Sequence, residues 1–330
     1  METKCGKWNG REDRIKVDRV IVTGATSMIG VAIIKECLEN NTEVLAIIRK
    51  GSRNADRLPK SELLTVRECN LDEFASVTDI QKKYDVFYHL AWDYTSKAFR
   101  DEPARQERNI KYTLDAVELA KRTGCRKFIG AGSQAEYGRV EHIISPDTEL
   151  NPEIAYGIAK YAAGRLSRKM CDSYHITHIW GRIFSVYGRN DNTETMLNYA
   201  INQFLKGETA YFSAGTQLWD YLHEDDAGKI FYLLGLRGNE SKVYCVASGQ
   251  SRPLRDFISD MREAFGKETL CEFAKDSEDV KPYSLQADID ELVKDICYRP
   301  QITFTEGIAD IIAYQRGEQD EKSKLVDSHI

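Results

Sequence analysis

The sequence predicts an α/β fold, a doubly wound parallel sheet with helices on both faces and a second, smaller C-terminal domain. Short apolar, β-branched segments alternate with amphipathic segments of helical period through the first half of the chain. That alternation implies right-handed crossovers between parallel strands. A glycine-containing turn at Thr23–Gly30 joins the first strand to the first helix, and the alternation loosens after about Ser185.

The first part of the chain contains the elements of the main sheet. Apolar residues recur at Ile29, Ile33 and Leu38, which is the spacing of one helix face. Gly124 follows a long helical segment in the position of a C-cap. The predicted strands are Arg19–Thr23, Glu43–Ile48, Leu63–Arg67, Asp85–Leu90, Arg126–Ala131 and Thr177–Phe184, and the helices are Ser27–Leu38, Pro103–Arg122 and Ala155–Tyr174.

The later part of the chain is predicted to form a smaller domain that crosses back to the first. Helices are expected at Met196–Leu205 and Leu254–Phe265, and strands that return toward the sheet at Trp219–Leu222 and Lys242–Ala247. We therefore place a first domain at 15–185 with the chain returning to it at about 219–248. A second domain occupies 186–316, and flexible tails occupy 1–14 and 317–330.

Composition excludes several classes of protein. The net charge of −6 over 330 residues argues against a general polyanion-binding surface, so no nucleic-acid partner is expected. No apolar run reaches the ~18 residues that span a bilayer, and the polar start is not a secretory signal. The eight cysteines are scattered without a C-x-x-C pair, which is typical of reduced cytoplasmic thiols. No metal site is predicted.

The turn at Thr23–Gly30 has the features of a dinucleotide site. Gly24 permits a tight turn, Gly30 allows close packing of the helix on the sheet, and the helix N-terminus favours a pyrophosphate. The second strand ends in Ile48-Arg49-Lys50-Gly51-Ser52-Arg53, without the acid that would bind the ribose of NAD. Because Arg49 and Arg53 would pair with a 2′-phosphate, the sequence favours NADP(H), with NAD(H) as the alternative.

Tyr156 and Lys160 form a candidate acid–base pair. They are four residues apart on a predicted helix and therefore share one face. An ammonium beside a phenol favours the phenolate and lowers the phenol pKa from about 10. The pair follows a dinucleotide-type turn, and this combination indicates proton transfer coupled to nicotinamide chemistry.

These motifs together resemble the extended short-chain dehydrogenase/reductase family, in particular its nucleotide-sugar epimerase, dehydratase and reductase branch. The resemblance runs from about Arg19 to Ile308 and implies a Rossmann-type fold. Its signs, in chain order, are the turn at Thr23–Gly30, Asn70-Leu71-Asp72, His89-Leu90-Ala91, Asn109, Ser133–Gly138, Tyr156–Lys160, Arg182–Gly188, Trp219–Ala227 and Tyr298-Arg299-Pro300.

The resemblance implies roles for individual residues, a nucleoside-diphosphate sugar substrate and a homodimer. Ser133, Tyr156 and Lys160 would be catalytic. The cofactor would contact Gly24, Thr26, Ser27, Met28, Ile29, Gly30, Arg49, Arg53, Asn70, Leu71, Leu90, Ala91, Asn109, Tyr156, Lys160 and Phe184. The substrate would contact Trp92, Gln134, Arg182, Ser185, Gln217, Trp219 and Lys281.

Two positions depart from the family pattern. Ser27 replaces the middle glycine of the turn, and its hydroxyl is a candidate partner for the pyrophosphate. Trp219 replaces an arginine that contacts the substrate diphosphate in many members, and Lys281, Arg182 or Arg252 are candidate substitutes.

The residues after Ser133 bear on the reaction type. Dehydrating members carry Asp and Glu directly after this position, whereas Gln134 and Ala135 follow it here, which disfavours dehydration. The basic end of the second strand favours an NADPH-dependent reductase of a nucleoside-diphosphate 4-keto-6-deoxyhexose. The alternatives are an NAD-dependent nucleotide-sugar 4-epimerase and, from another class, a non-catalytic NADP-binding regulator.

Overall fold

The computed structural model describes residues 16–192, 194–238, 241–266, 270–275 and 283–327. The strands are β1 (Arg19–Thr23), β2 (Glu43–Ile48), β3 (Leu64–Glu68), β4 (Val86–His89), β5 (Lys127–Ser133), β6 (Thr177–Ile183), β7 (Ser185–Tyr187), β8 (Ala210–Phe212), β9 (Leu218–Trp219), β10 (Tyr221–His223), β11 (Val243–Val246), β12 (Arg252–Pro253) and β13 (Cys271–Phe273). The helices are α1 (Met28–Glu39), α2 (Pro103–Arg122), α3 (Ala155–Ser173), α4 (Met196–Lys206), α5 (Glu224–Arg237), α6 (Leu254–Phe265), α7 (Asp290–Ile296) and α8 (Phe304–Asp327).

The main sheet has seven parallel strands in the order β3-β2-β1-β4-β5-β6-β11. At its centre Ile21 of β1 lies between Leu45 of β2 and Phe87 of β4. The chain builds outward from β1 in both directions, so the strand order reverses between β1 and β4. This arrangement confirms the predicted fold class, and in such sheets ligands bind beyond the carboxyl ends of the strands at the reversal.

Each face of the sheet is covered by its own helices, because successive side chains of a strand point to opposite faces. On one face Ile21 and Phe128 pack in a cluster with Leu119 of α2. On the other face Val22 packs in a cluster with Ile33 of α1 and further side chains of α5.

The C-terminal lobe has a third apolar cluster built mainly from α4, α6 and α8. The chain returns to the main sheet through β11, which pairs with β6 at the edge. The predicted strand Trp219–Leu222 is two strands, because β9 pairs with β12 and β10 pairs with β7. Asp220 separates them: its buried carboxylate accepts hydrogen bonds from the backbone N–H groups of Ser248 (2.7 Å) and Gly249 (2.8 Å).

Both chain ends were predicted to be tails. The first tail lies outside the described residues. In the second, α8 continues to Asp327, so the segment after Gly317 is helical up to that residue. None of the helices in the described part of the chain is both long and apolar enough to cross a membrane.

Candidate active site

A cavity of about 910 Å³ opens at the carboxyl ends of β1, β2 and β4, where the strand order reverses. Its wall is formed by the turn after β1, the ends of β2 and β3, the loop after β4, and a segment of the C-terminal lobe at 190–192. Ten residues predicted to bind cofactor or substrate line it: Gly24, Thr26, Ser27, Met28, Arg49, Asn70, Leu71, Leu90, Ala91 and Trp92.

The turn between β1 and α1 brings three backbone segments into close contact. Gly24 has φ of +67°, and a β-carbon there would lie 2.7 Å from the backbone nitrogen of Ala91. A β-carbon on Gly30 would collide with the carbonyl oxygen of Gly24. The Ser27 hydroxyl accepts a hydrogen bond from the Gly30 N–H (3.1 Å) and so caps α1. The helix therefore begins at the cavity wall, with its electropositive N-terminus facing the space.

The end of the cavity beyond β2, here called the β2 end, is formed by Arg49, Ser52, Asn54 and Arg57. Arg49 lines the wall, whereas Arg53 is exposed and lies outside the lining. The β2 end therefore presents two guanidinium groups and two neutral polar side chains, and neither Ser52 nor Asn54 supplies the acid that would repel a phosphate.

The loop after β4 is held in place by two buried amides of α2. The Gln106 carbonyl oxygen accepts from the Trp92 indole (3.0 Å), and its amide nitrogen donates to the Tyr94 carbonyl (2.9 Å). Asn109 bonds both the N–H of Asp93 (2.8 Å) and its carbonyl (3.1 Å). Asn109, which was predicted to bind the cofactor, thus lies behind the wall and supports the loop that forms it.

Tyr156 and Lys160 lie in the first turns of α3, beside the end of β5. The buried Lys160 ammonium donates to the Ala131 carbonyl (2.6 Å) and lies 3.8 Å from the centre of the Trp92 ring. Burial lowers the Lys160 pKa to about 7. Burial raises the pKa of the Tyr156 phenol, while the Arg100 charge and a hydrogen bond with Ser133 act in the opposite direction.

Ser133 is held by a buried network centred on Glu136. The segment Gln134–Glu136 forms a single 3₁₀ turn, which directs the Glu136 carboxylate back to the Ser133 N–H (2.9 Å). The same carboxylate accepts from the Trp180 indole (2.9 Å) and from Arg182 (2.8 Å). Arg182 was predicted to contact the substrate, but its side chain is 5% exposed and paired with Glu136.

Tyr283 connects two of the predicted substrate residues, Gln134 and Trp219. The Tyr283 hydroxyl donates to the Gln134 side-chain carbonyl (2.8 Å), and the Tyr283 ring lies 6.2 Å from that of Trp219. The Trp219 indole N–H is buried and has no hydrogen-bond partner in the described part of the chain. Lys281 lies outside the described residues. Arg252, the other candidate for the diphosphate, forms an ion pair with Asp260.

The remaining predicted residues lie outside the lining of the cavity. Phe184 is buried and its ring lies 6.5 Å from that of Tyr137, and Ser185 begins β7 opposite Tyr221. The Gln217 carbonyl accepts from the backbone of Leu254. The predicted residues outside the lining are Ile29, Gly30, Arg53, Asn109, Ser133, Gln134, Tyr156, Lys160, Arg182, Phe184, Ser185, Gln217 and Trp219.

The sequence analysis missed Arg57, the 190–192 segment, Tyr283 and Arg100. Arg57 lines the β2 end and lies four residues after Arg53, in the same basic segment after β2, a placement that could have identified it. Nothing in the spacing of Arg100 or Tyr283 marks them, because both reach the site through the course of a loop. Within the described residues, no group of three or more His, Cys, Asp or Glu side chains is placed to hold a metal.

Known proteins are similar to this chain over most of its length. A sequence profile of the NAD dependent epimerase/dehydratase family matches residues 20–247. A protein of Methanocaldococcus jannaschii, provisionally named UDP-glucose 4-epimerase, is 22% identical over 307 residues, which are 90% of this chain and 98% of that protein.

Solved structures show the same fold. UDP-N-acetylglucosamine 4-epimerase from Methanobrevibacter ruminantium M1, in complex with UDP-N-acetylmuramic acid, has a TM-score of 0.81 at 20% identity, over 92% of this chain and 100% of that one. UDP-glucuronic acid 4-epimerase from Bacillus cereus, in complex with UDP-glucuronic acid and NAD, has a TM-score of 0.77 at 22% identity, over 91% and 99% of the two chains.

Proposed function

The chain belongs to the NAD dependent epimerase/dehydratase family, and we propose that within it the protein is a UDP-sugar 4-epimerase. The observation that carries the proposal is the grouping of Ser133, Tyr156 and Lys160 at the end of β5, where the Glu136 carboxylate is already paired with Arg182. The sequence analysis placed a reductase first. The similar proteins named above favour the alternative, because their names give 4-epimerisation of UDP-sugars.

A nicotinamide dinucleotide fits the residues that form the cavity. The N-terminus of α1 with Thr26, Ser27 and Met28 would hold the pyrophosphate, and Asn70 and Leu71 would border the adenosine. A nicotinamide held there would supply the hydride acceptor and donor that exchange of configuration at C4 of the hexose requires.

The side chains at the end of β5 supply the proton chemistry. Tyr156, as phenolate, takes the proton of the C4 hydroxyl and later gives it back to the carbonyl oxygen. The Ser133 hydroxyl donates to that oxygen, and its position is fixed because Glu136 holds the Ser133 backbone. Lys160 in its charged form favours the phenolate.

The surroundings of Ser133 argue against dehydration. Loss of water from a 4-keto sugar needs a further acid and base next to the reacting carbons. Gln134 and Ala135 offer neither, and Glu136 is buried with its carboxylate bonded to Trp180 and Arg182. The epimerase reaction needs only the acid–base group and the hydride carrier, which the site can provide.

The β2 end of the cavity supports a second candidate, an NADPH-dependent reductase of a nucleoside-diphosphate 4-keto-6-deoxyhexose. Arg49 and Arg57 line that end, where a 2′-phosphate of NADP would lie, and β2 is not followed by an acid. An exchangeable, phosphorylated cofactor suits a reductase that consumes it in every turnover. NADP(H) therefore stays a prediction that belongs to this candidate.

Turnover with a panel of sugar nucleotides tests the two candidates. The epimerase should interconvert one pair of UDP-hexoses that differ at C4, without added cofactor being consumed. Tyr156→Phe protein is the matched control, since it keeps the ring and removes the hydroxyl. Stoichiometric oxidation of NADPH by a 4-keto-6-deoxy sugar, with no epimerisation of any UDP-sugar, would select the reductase.

We also propose that the protein is a homodimer through α3. Ile158 and Leu166 on this helix are 52% and 48% exposed, and a partner copy would cover them. Sedimentation should give twice the mass of one chain, and Ile158→Asp with Leu166→Asp should give a monomer. A monomeric wild-type protein would contradict the proposal.

A further inference from the structure

Arg100 is a cation beside the acid–base group that the reaction described above leaves without a role. It lies in the loop between β4 and α2, and its guanidinium carbon is 4.3 Å from the centre of the Tyr156 ring. Its Nε atom is buried without a hydrogen-bond partner. Among the residues that the structure describes, no carboxylate forms an ion pair with Arg100. Since a guanidinium stays charged at any pH at which proteins fold, this is a permanent charge.

The position of Arg100 is fixed to the helix that carries Tyr156. Its carbonyl accepts a hydrogen bond from the Tyr156 N–H (2.9 Å), and the neighbouring Asp101 carboxylate accepts from the Ala155 N–H (2.9 Å). The loop therefore caps the first turn of α3 twice. The Arg100 backbone is thereby attached to the first turn of α3, and its guanidinium lies over the Tyr156 ring.

Lys160 is less well placed than Arg100 to stabilise the phenolate of Tyr156. Its ammonium is 5.8 Å from the centre of the Tyr156 ring, and it faces the Trp92 ring and donates to the Ala131 carbonyl. Burial lowers the Lys160 pKa to about 7, so desolvation disfavours its charged form. The charge of Arg100 adds to this effect, because it also lowers the Lys160 pKa.

We propose that Arg100 is a positioning residue that stabilises the phenolate of Tyr156 and so takes over part of the task assigned to Lys160. The inference rests on the proposed function only in taking Tyr156 as the acid–base group. An opposite charge within about 4–6 Å favours the ionised form of a group. The phenol also faces Lys160 from its own helix, and Ser133 and Glu136 from the end of β5. Glu136 acts in the opposite sense, but its carboxylate is paired with Arg182.

Titration of the Tyr156 phenol tests this in the full-length protein and needs no substrate. The phenolate absorbance of each protein is compared with that of the same protein carrying Tyr156→Phe, so that the difference belongs to Tyr156. Arg100→Met should move the midpoint upward by about one pH unit, because the phenolate loses a stabilising positive charge. Arg100→Lys, which keeps a charge, should move it less.

Arg105→Met is the matched control. Arg105 stacks on Tyr94 (4.9 Å) and Phe99 (4.3 Å) in the same loop but does not contact Tyr156. A general loosening of the loop would shift the Tyr156 midpoint in both Met variants, whereas the proposal expects a shift in Arg100→Met alone. The rising limb of the pH profile of kcat should move with the titration.

An unchanged Tyr156 midpoint in Arg100→Met would overturn the proposal. So would a raised KM for one anionic sugar nucleotide with no change in the pH profile, which would make Arg100 a substrate-binding residue. The outcome is separable from the proposed function: a shifted midpoint in a protein that epimerises no sugar nucleotide would sustain the role of Arg100 and reject the epimerase.

Discussion

The two ends of the candidate site hold their charges in opposite ways. At the proposed catalytic end, formed by Tyr156 and Lys160 of α3 and by Ser133 at the end of β5, the charged residues Lys160, Glu136 and Arg182 are buried. Each of the three is bonded to specific atoms of the fold. At the β2 end Arg49 and Arg57 face an open cavity. Buried charges are costly to leave without a partner, whereas open ones are cheap to replace. The residues proposed for proton transfer are therefore held in place by buried side chains of the core. The residues expected to select the cofactor lie at the cavity surface, where a substitution can leave the fold unchanged.

The largest expected effect is at the catalytic end. Tyr156→Phe should lower kcat by about 10²–10⁴-fold and leave cofactor affinity nearly unchanged, because only the proton partner is removed. Steady-state kinetics with the best UDP-sugar and a cofactor titration measure the two quantities. Turnover close to that of the wild type would exclude Tyr156 as the acid–base group.

Removing one partner of the buried pair tests the claim that the catalytic end is tied to the core. Glu136→Gln leaves the Arg182 guanidinium uncompensated and should lower the free energy of unfolding by about 3–5 kcal/mol. Glu153→Gln is the control, since its pair with Arg139 spans 3.5 Å between side chains that are 50% and 65% exposed. That change should cost about 0–1 kcal/mol. Equal losses in denaturant unfolding would contradict the claim that Glu136 and Arg182 are held by the core.

The smallest expected effect is at the β2 end, and it concerns cofactor choice alone. Arg49→Asp should weaken NADPH binding by about 1.5–3 kcal/mol, through loss of one charge-assisted contact, and leave NADH binding little changed. Arg53→Asp makes the same charge change outside the cavity lining and should have little effect on either. Fluorescence titration measures both affinities. Similar effects of the two substitutions would show that Arg49 does not face the ribose.

The elements that the sequence could predict are those specified by local pattern. The bounds of β1, β2, α2 and α6 agree with the prediction, since an apolar period and a flanking turn or cap define each one. The run Trp219–Leu222 looked continuous, and what divides it is Asp220, whose partners at Ser248 and Gly249 are distant along the chain. The family and the fold could be predicted because the order of their motifs is visible in a single sequence. The family profile and the solved structures confirm both.

The sequence could predict where the candidate site residues lie on strands and helices, but not their contacts. Tyr156 and Lys160 share a helix face, as their spacing requires. Gly30 was predicted to allow close packing of the helix on the sheet, and the atom closest to its position is the Gly24 carbonyl oxygen of the turn itself. Spacing could not reveal that Arg182 would form an ion pair with Glu136. Nor could it distinguish Arg49, which lines the cavity, from Arg53, which does not, because the loop between them sets their directions.

The fate of the hydrogen at C4 tests the central claim most directly. A UDP-hexose carrying deuterium at C4 is incubated with the purified protein, and the product epimer is analysed by NMR and mass spectrometry. The account predicts that the epimer forms with deuterium retained at C4, since the hydride is returned within one bound complex. Loss of the deuterium from C4 of the epimer would contradict the account. So would transfer of the deuterium to NADP⁺ in solution without formation of any epimer.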